Sequence, residues 1–566
     1  MFVKKILFVA ILALIAVITL HGQGYLTPED YFNRKGEVYF KFSDPGRDVI
    51  NQLTKIISLD NKKEGEVYAY ASRKEFDRFL RFGMGYEVLP HPGDLDREPF
   101  MVDEINIRDI TDWNFYPTYE GYVSIMEQFA SDYPDICEVF SIGQSVAGRE
   151  LLFARITDNV GSNEGEPQFM YTSTMHGDET AGYVLMLHLI DYLLTEYGNN
   201  DRITNMVDNL EIWINPLANP DGTYAAGNNT VNGATRYNAN IVDINRNFPD
   251  PDDGPHPDGN EWQAETLAFM ELAEDNHFVL SSNIHGGEEV CNYPWDTWSH
   301  LTADNEWWVY VCREYADTAQ FYSPPGYLTG LNNGITNGYA WYTISGGRQD
   351  YMNYFHQGRE FTLEISNTKL LPESQLTNWW NYNYRSLLNY MEQATFGIAG
   401  RVKDTISGFP VHSEIYVIGH EEDSSWVYSH LPLGNYKRLI YEGNYHLRVS
   451  ASGYDTRLIS NIQVTNRQKT EFNIWLTPEG VGSISQNDIS AGLQLYPNPA
   501  VGNNVMLKSE TPVEHLRIYN MQGQQVLRQS VYDHKAPLEI GQLRPGTYVV
   551  EIVTEKGRGV KNLIIE

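Results

Sequence analysis

The chain has 566 residues, 42% of them hydrophobic and 13% aromatic, which predicts several globular domains and excludes a wholly disordered protein. Its formal net charge of −33 argues against a nucleic acid or an anionic membrane surface as the partner. The three cysteines exclude a disulfide framework, because at most one bridge can form.

Residues 1–23 have the pattern of a secretory signal peptide. Lys4 and Lys5 precede an apolar run that ends at Leu20, and small or polar residues follow. The run is short for a full membrane span, so a membrane anchor is the less favoured alternative. We expect export, with no stable membrane span once the signal is removed.

Residues 24–95 predict a small α+β region. The stretches GEVYFKF and GEVYAYAS alternate apolar and polar residues as half-buried strands do, and RKEFDRFLRF has helical spacing. A charged stretch rich in turn residues follows, and it predicts a linker over 96–112.

Residues 113–395 predict an α/β domain. Apolar strand candidates alternate here with helical patterns such as TYEGYVSIMEQFASDYP, which favours a mixed, largely parallel sheet flanked by helices. The strand candidates are PQFMYTST, LEIWINPLA, FVLSSNI and REFTLEIS.

The pattern changes after residue 395. Short strands with regular Gly and Pro turns predict a small all-β sandwich over 396–478, and EGVGSISQNDISAG predicts a flexible linker over 479–492. Strand patterns such as PGTYVVEI then predict a second small all-β sandwich over 493–566.

Several strand candidates of the α/β domain end in unusual polar residues. Ligands gather at the carboxyl ends of strands in open α/β sheets, so we expect these residues to converge. His176, Glu179 and His285 would supply the two nitrogens and one carboxylate of a catalytic zinc site. Structural alternatives remain, because His176 could be a satisfied buried histidine beside Glu179 as a helix-starting acid, and His285 could bond to backbone.

Glu364 lies inside an otherwise apolar strand. A buried carboxylate is costly to ionise unless a cation is near, and a zinc-bound water would meet that need, with Glu364 taking its proton. An ion pair with Arg348 or Arg359 is the alternative. One metal site explains these residues more economically than a separate structural role for each.

Arg236, Asn245 and Arg246 lie in RYNANIVDINRNFPD, a segment with little helical or strand pattern. Arginine and asparagine side chains together can hold a carboxylate in a fixed orientation, although arginines more often form surface ion pairs. The spacing therefore predicts a zinc hydrolase whose substrate carries an anionic group.

These motifs resemble the zinc metallocarboxypeptidases of the carboxypeptidase A/B type. The resemblance covers essentially the whole α/β domain, and the order and spacing of its motifs make it specific. The motifs are HGDE (176–179), NPDG (219–222), RYNAN and DINRNF (236–248), HGG and NYPWD (285–296), YTISGGRQD (342–350) and TLEIS (362–366).

The resemblance implies a catalytic role for each matching residue. His176, Glu179 and His285 match the ligands of one zinc ion. Glu364 matches the general base, which later protonates the leaving amine, and Arg236 matches the residue that polarises the scissile carbonyl and stabilises the oxyanion.

The resemblance also implies how a substrate is held. Asn245 and Arg246 match the clamp on its C-terminal carboxylate, and Tyr342 matches the mobile tyrosine that closes over that carboxylate. NYPWD and Gln349, the glutamine after Gly-Gly-x, resemble the carboxypeptidase N/E/D branch, with Thr235 before Arg236 as a minor departure.

In that branch the aspartate at the position of Asp296 contacts a basic C-terminal side chain, which implies release of Lys or Arg. The alternative is that Asp296 only closes a turn.

The flanking regions carry further resemblances. Residues 396–478 resemble the transthyretin-like regulatory domain of the same branch, and residues 493–566 resemble the C-terminal sorting domain of type IX secretion in Gram-negative bacteria. Residues 24–95 are placed like a carboxypeptidase pro-segment.

Together these resemblances imply a secreted or surface-held carboxypeptidase, whose partners are peptide or protein C-termini and the type IX secretion machinery. A cell-wall peptide carboxypeptidase of the same fold is the first alternative. A surface binding or adhesion protein with an inactive peptidase domain is the second.

Overall fold

The computed structural model describes residues 27–479 and 489–566. The signal peptide predicted for 1–23 lies outside the described residues, as does most of the predicted 479–492 linker. One compact unit extends to Ser452 and includes Thr456–Leu476, and the other comprises Gly453–Asp455 and Thr477–Glu566. Within the described ranges, no helix has both the length and the apolar character needed to cross a membrane.

The longer helices begin at polar capping residues in several cases. Thr27 and Ser72 form capping boxes before α1 and α3, and Thr118 accepts from the third residue of α4, so orphan amides at these helix starts are satisfied. The longer helices are α1 (Pro28–Lys35), α2 (Arg47–Leu53), α3 (Arg73–Phe79), α4 (Tyr119–Asp132), α5 (Ala181–Glu196), α6 (Asp201–Val207), α7 (Ala264–Asp275), α8 (Asn305–Phe321), α9 (Arg348–Phe355) and α10 (Leu376–Gln393).

The strands before residue 396 belong to an N-terminal sheet, a two-stranded pair and a large central sheet. They are β1 (Glu37–Ser43), β2 (Ser58–Lys63), β3 (Glu66–Ser72), β4 (Glu87–Val88), β5 (Met101–Val102), β6 (Tyr116–Pro117), β7 (Cys137–Gln144), β8 (Glu150–Ile156), β9 (Gln168–Ser173), β10 (Glu211–Asn215), β11 (Phe278–His285), β12 (Glu289–Tyr293), β13 (Ile335–Asn337) and β14 (Arg359–Ile365).

The remaining strands form the C-terminal all-β regions. They are β15 (Gly397–Asp404), β16 (Glu414–Val417), β17 (Val427–Tyr428), β18 (Asn435–Arg438), β19 (Gly443–Ser450), β20 (Arg457–Val464), β21 (Lys469–Glu471), β22 (Ile474–Leu476), β23 (Gln494–Tyr496), β24 (Asn504–Tyr519), β25 (Gln525–Glu539), β26 (Gly546–Thr554) and β27 (Gly557–Ile565).

The N-terminal region, residues 27–95, is a four-stranded antiparallel sheet with helices α1–α3. Its strand order is β2-β3-β1-β4. Alternate residues of β1 are buried, and the apolar core that they form continues into Trp341, Tyr342 and Ile344 of the α/β domain. The region is therefore packed directly on the α/β domain.

The α/β domain is built on an eight-stranded mixed sheet of order β13-β12-β14-β11-β9-β10-β8-β7. Four strand pairs at its centre and at one edge are parallel, and β7/β8, β8/β10 and β12/β14 are antiparallel. Both faces are covered: Phe169 and Tyr171 of β9 point into the larger core, and Met170 between them points into the core on the other face. This explains the continuous apolar runs of the central strands.

Residues 397–476 form two four-stranded sheets, as expected for a sandwich. A buried ion-pair cluster joins them to the α/β domain, because Asp304 lies 2.7 Å from Arg359 and 2.9 Å from Arg438 of β18. Breaking one partner of such a buried cluster costs about 3–5 kcal/mol. The three cysteines of the chain are buried free thiols.

The second compact unit differs from the expected two-sheet sandwich. Its strands form one hydrogen-bonded five-stranded sheet, with β25 pairing β24 beside the order β23-β24-β26-β27. The pairing of the 16-residue β24 with β25 changes register between Lys508 and Val513. Such irregularities bend a strand, so a single sheet can close over its own apolar core.

Candidate active site

Two histidines and one glutamate converge at the carboxyl ends of β9 and β11. His176 and Glu179 lie in the turn between β9 and α5, and His285 is the last residue of β11. The two Nδ1 atoms are 3.0 Å apart, and they lie 3.0 Å and 2.8 Å from the two carboxylate oxygens of Glu179. All three side chains are buried.

The cluster fits a zinc ion. Among the described residues, these three each offer one ligand atom, and the three atoms lie within 4.8 Å of one another. An N₂O donor set with all three groups facing one point is that of catalytic zinc. Burial alone would raise the pKa of Glu179, but His176 and Lys369 hold it well below its usual value, so the group is ionised.

Asp243 orients His176 and is a functional residue that sequence reasoning missed. Its carboxylate lies 3.1 Å from Nε2 of His176, on the side of the ring away from the cluster. A carboxylate on the distal nitrogen fixes the ring and its tautomer for ligation. The available signal was its place in DINRNF, two residues before Asn245.

Gly177 allows the turn that carries His176 and Glu179. A Cβ atom at Gly177 would lie 2.3 Å from the Gly222 carbonyl carbon and 2.4 Å from the Thr223 nitrogen, which is closer than real contacts. The HGDE turn therefore packs backbone to backbone on the NPDG turn, and only glycine fits there.

Glu364 lies beside this cluster because of strand register. In the parallel pair of β11 and β14, Glu364 is directly opposite His285. Burial, reinforced by the charge of Glu179, raises its pKa well above the usual value. Among the described residues, Oε2 of Glu364 has no hydrogen-bond partner, which leaves it able to exchange a proton with a bound molecule.

Among the described residues, Glu364 forms neither of the ion pairs considered as alternatives, with Arg348 or with Arg359. Arg348 instead binds Glu360 at 2.9 Å and 3.0 Å, and Arg359 binds Asp304. Glu364 thus faces the cluster without a dedicated arginine.

Arg236, Asn245 and Arg246 are buried in the site, not on the surface. Arg236 donates to Asp243 at 3.1 Å and reaches Glu179 at 3.3 Å, so its guanidinium borders the metal cluster. Arg246 lies next to Asn245 and donates to that residue's carbonyl at 2.9 Å. Their guanidinium and amide donors can bind an anionic group near the cluster.

Asp296 is a buried carboxylate beside these donors. It accepts from Asn292 at 3.1 Å, and burial raises its pKa to about 7. A Cβ atom at Gly338 would lie 1.7 Å from Oδ1 of Asp296, so the absence of a side chain there makes room for the carboxylate. Gln349 is buried in the same part of the domain and accepts from the Thr362 amide at 2.7 Å.

The side chain of Asp60, from β2 of the N-terminal region, enters the site. Its Oδ1 lies 3.1 Å from Nη1 of Arg236 and 2.7 Å from Nζ of Lys369, and the side chain is only 5% exposed. Sequence reasoning missed both Asp60 and Lys369. No local signal points to Asp60, since its meaning depends on which surface β2 covers.

Backbone carbonyls of β2 accept hydrogen bonds from side chains that neighbour the metal cluster. Arg246 donates to the Leu59 carbonyl at 2.9 Å, and the Tyr342 hydroxyl donates to the Asp60 carbonyl at 3.1 Å. Ser58 hydrogen-bonds both Arg236 and Asp243. Two carbonyls of the N-terminal region thus take up the groups expected to bind a substrate carboxylate.

An α/β domain with a buried His₂Glu cluster, the neighbouring carboxylate of Glu364 and adjacent arginines is typical of metal-dependent hydrolases. Comparison with known proteins places the chain within that class. The zinc carboxypeptidase family matches residues 122–386, and a secretion system C-terminal sorting domain matches residues 494–566.

Curated relatives are carboxypeptidases by name. Carboxypeptidase M of Mus musculus is 36% identical over 366 residues, which cover 61% of this chain and 80% of the mouse protein. Carboxypeptidase D of Homo sapiens is 33% identical over 66% of this chain but only 28% of its own length. The chain belongs to the zinc carboxypeptidase family, whose cofactor is one zinc ion.

Among solved structures, the carboxypeptidase A of Helicoverpa armigera is 16% identical with a TM-score of 0.49. The match covers 64% of this chain and 98% of that one.

Proposed function

We propose that the protein is a secreted zinc carboxypeptidase that releases C-terminal Lys or Arg from peptides. The observation that carries the proposal is the convergence of the His₂Glu cluster, Glu364, the Asn245–Arg246 donors and the buried carboxylate of Asp296 in one site. When bound, zinc supplies a Lewis acid that polarises a carbonyl and lowers the pKa of water.

The protein's own residues perform the remaining steps. Asn245, Arg246 and Tyr342 hold the substrate's C-terminal carboxylate, which places the last peptide bond beside Glu364. Glu364 takes the proton of the attacking water and returns it to the leaving amine. Arg236 stabilises the negative charge that develops on the carbonyl oxygen.

The N-terminal region is proposed to act as a pro-segment that keeps the enzyme latent. Its support is the contact of Leu59 and Asp60 with Arg236, Arg246 and Tyr342, which a substrate also needs. A peptide cannot enter while β2 occupies these donors. Cleavage within the exposed residues 96–98, which precede β5, would let the region leave.

The sorting domain supports export through a type IX secretion system as the protein's route to the cell surface or medium. The secretion machinery is accordingly its proposed partner, beside peptide C-termini.

Chelation is expected to stop hydrolysis and zinc to restore it. The full chain, nicked by limited proteolysis in the 96–112 linker, should release Arg from an N-blocked dipeptide. Removing zinc should reduce the rate to background, because the ligands then lack their ion, and one equivalent of zinc should restore it. Arg release is measured by amine detection.

The outcomes of this assay separate the alternatives. Cleavage of cell-wall peptides without Arg release would support a cell-wall carboxypeptidase. No hydrolysis of either substrate by zinc-loaded protein would support a binding protein and refute the proposal.

Asp296→Asn is expected to remove the preference for basic C-termini. A buried charge pair with substrate Arg is lost, and truncating such a pair costs about 2–5 kcal/mol, so kcat/KM for Arg should fall by about 100-fold. Cleavage of a Phe-terminated peptide should change little. Asp191→Asn is the control, since this half-buried carboxyl of α5 binds Trp113 away from the site.

The same preference is expected to depend on pH. The pKa of Asp296 is raised to about 7, so the carboxyl is neutral below that pH and charged above it. The ratio of kcat/KM for Arg over Phe should rise between about pH 5.5 and about pH 8.5, and Asp296→Asn should flatten it. A ratio that does not vary with pH would contradict this role.

A further inference from the structure

Lys369 is a buried cation of the site to which the mechanism above gives no role. It follows β14, five residues after Glu364, and is 5% exposed. Its ammonium lies 2.6 Å from Oε1 of Glu179 and donates to the Gly286 carbonyl at 3.2 Å. These contacts fix the ammonium at the edge of the metal cluster.

Arg236 reaches the same oxygen atoms from another segment of the chain. Its Nη1 lies 3.1 Å from Oδ1 of Asp60 and 3.3 Å from Oε1 of Glu179. Lys369 lies 2.7 Å from the same Oδ1 atom. Two buried cations therefore converge on one oxygen of Asp60, and both belong to the α/β domain.

Departure of the N-terminal region would leave this oxygen position empty between two fixed cations. The group that fits such a position is an oxygen that carries or develops negative charge. The position also lies beside Glu179 of the metal cluster, where a peptide carbonyl must come to react.

We propose that Lys369, together with Arg236, contacts the carbonyl oxygen of the scissile bond, and that Oδ1 of Asp60 marks the place of this oxygen. The inference rests on the carboxypeptidase function proposed above. Lys369 is thus a catalytic residue of the α/β domain, and Asp60 is a carboxylate that imitates the reacting oxygen.

The charge balance of the reaction explains the need for both cations. When the water oxygen bonds to the carbonyl carbon, the electron pair of the C=O double bond moves to the carbonyl oxygen. This negative charge persists until the C–N bond breaks and the amine receives its proton from Glu364. Cations that are already in place stabilise the charge without reorganising.

The test compares Lys369→Met and Lys369→Arg with the parent in the full chain nicked in the 96–112 linker. For Lys369→Met we expect kcat for Arg release to fall by about 100-fold, the scale of losing one oxyanion donor, with KM changed less than about threefold. Affinity for a tetrahedral phosphonate analogue ending in Arg should weaken by a similar factor, whereas zinc content stays at one per chain. Lys369→Arg should recover part of kcat.

Lys437→Met is the matched control, because Lys437 is a buried lysine of β18 outside the metal cluster. It should leave kcat and phosphonate affinity unchanged. If Lys369→Met instead lowers zinc content in step with kcat, or leaves phosphonate affinity intact, Lys369 only holds Glu179 and the inference is wrong. A parent protein that neither releases Arg nor binds the phosphonate would refute the proposed function itself.

Discussion

Replacing Glu364 by glutamine is expected to abolish peptide hydrolysis while zinc binding and the fold are retained. Glutamine has the size of glutamate but cannot take a proton from the attacking water. General bases contribute about 10²- to 10⁴-fold, so kcat/KM for Arg release should fall by about 10³-fold. The assay is Arg release from the blocked dipeptide, with zinc content measured by elemental analysis.

Glu289→Gln is the matched control for this experiment. Glu289 lies on the neighbouring β12, opposite Ile365, and its carboxylate accepts from the Leu328 amide at 3.2 Å, outside the metal cluster. It should keep normal activity. Turnover of Glu364→Gln within about tenfold of the parent would rule out Glu364 as the general base.

Asp60→Ala is expected to activate the uncleaved chain. Asp60 pairs with Arg236 and Lys369 in a buried cluster, and removing one partner of such a cluster costs about 3 kcal/mol or more, which corresponds to about a 100-fold larger open population. Arg release by the uncleaved variant should rise by that factor. Cleavage of the parent in the 96–112 linker should activate it at least as strongly.

Asp44→Asn is the control for the N-terminal region. Asp44 pairs with Lys62 at 2.7 Å on the surface, so its loss should leave latency unchanged. Equal activity of the parent before and after linker cleavage would show that the region does not inhibit, even if the protein is a carboxypeptidase.

The metal site could be predicted from sequence because its parts are local. His176 and Glu179 are three residues apart after one apolar strand, and His285 and Glu364 each mark an apolar strand of their own. Strand ends of an open α/β sheet meet at one edge, so the convergence followed from a general rule. The strand register, which puts Glu364 opposite His285, agrees with this convergence.

The residues that sequence reasoning missed are those whose role depends on a distant partner. Asp243 contacts the far side of the His176 ring, and Lys369 contacts an oxygen supplied by the N-terminal region. Neither lies inside a predicted strand or helix whose apolar pattern its charge would interrupt. The closing of 493–566 into one sheet was missed for a similar reason, since alternation predicts strands but not where a long strand bends.

The sequence by itself determined the family and the α/β class, and it predicted which residues we propose as zinc ligands and proton acceptor, because each depends on residue type and short-range spacing. Only the tertiary structure decided that β2 lies in the site and that Arg236 and Lys369 share one oxygen of Asp60. Such contacts join residues more than 170 positions apart, and their formation depends on the packing of two complete cores, which no local pattern encodes.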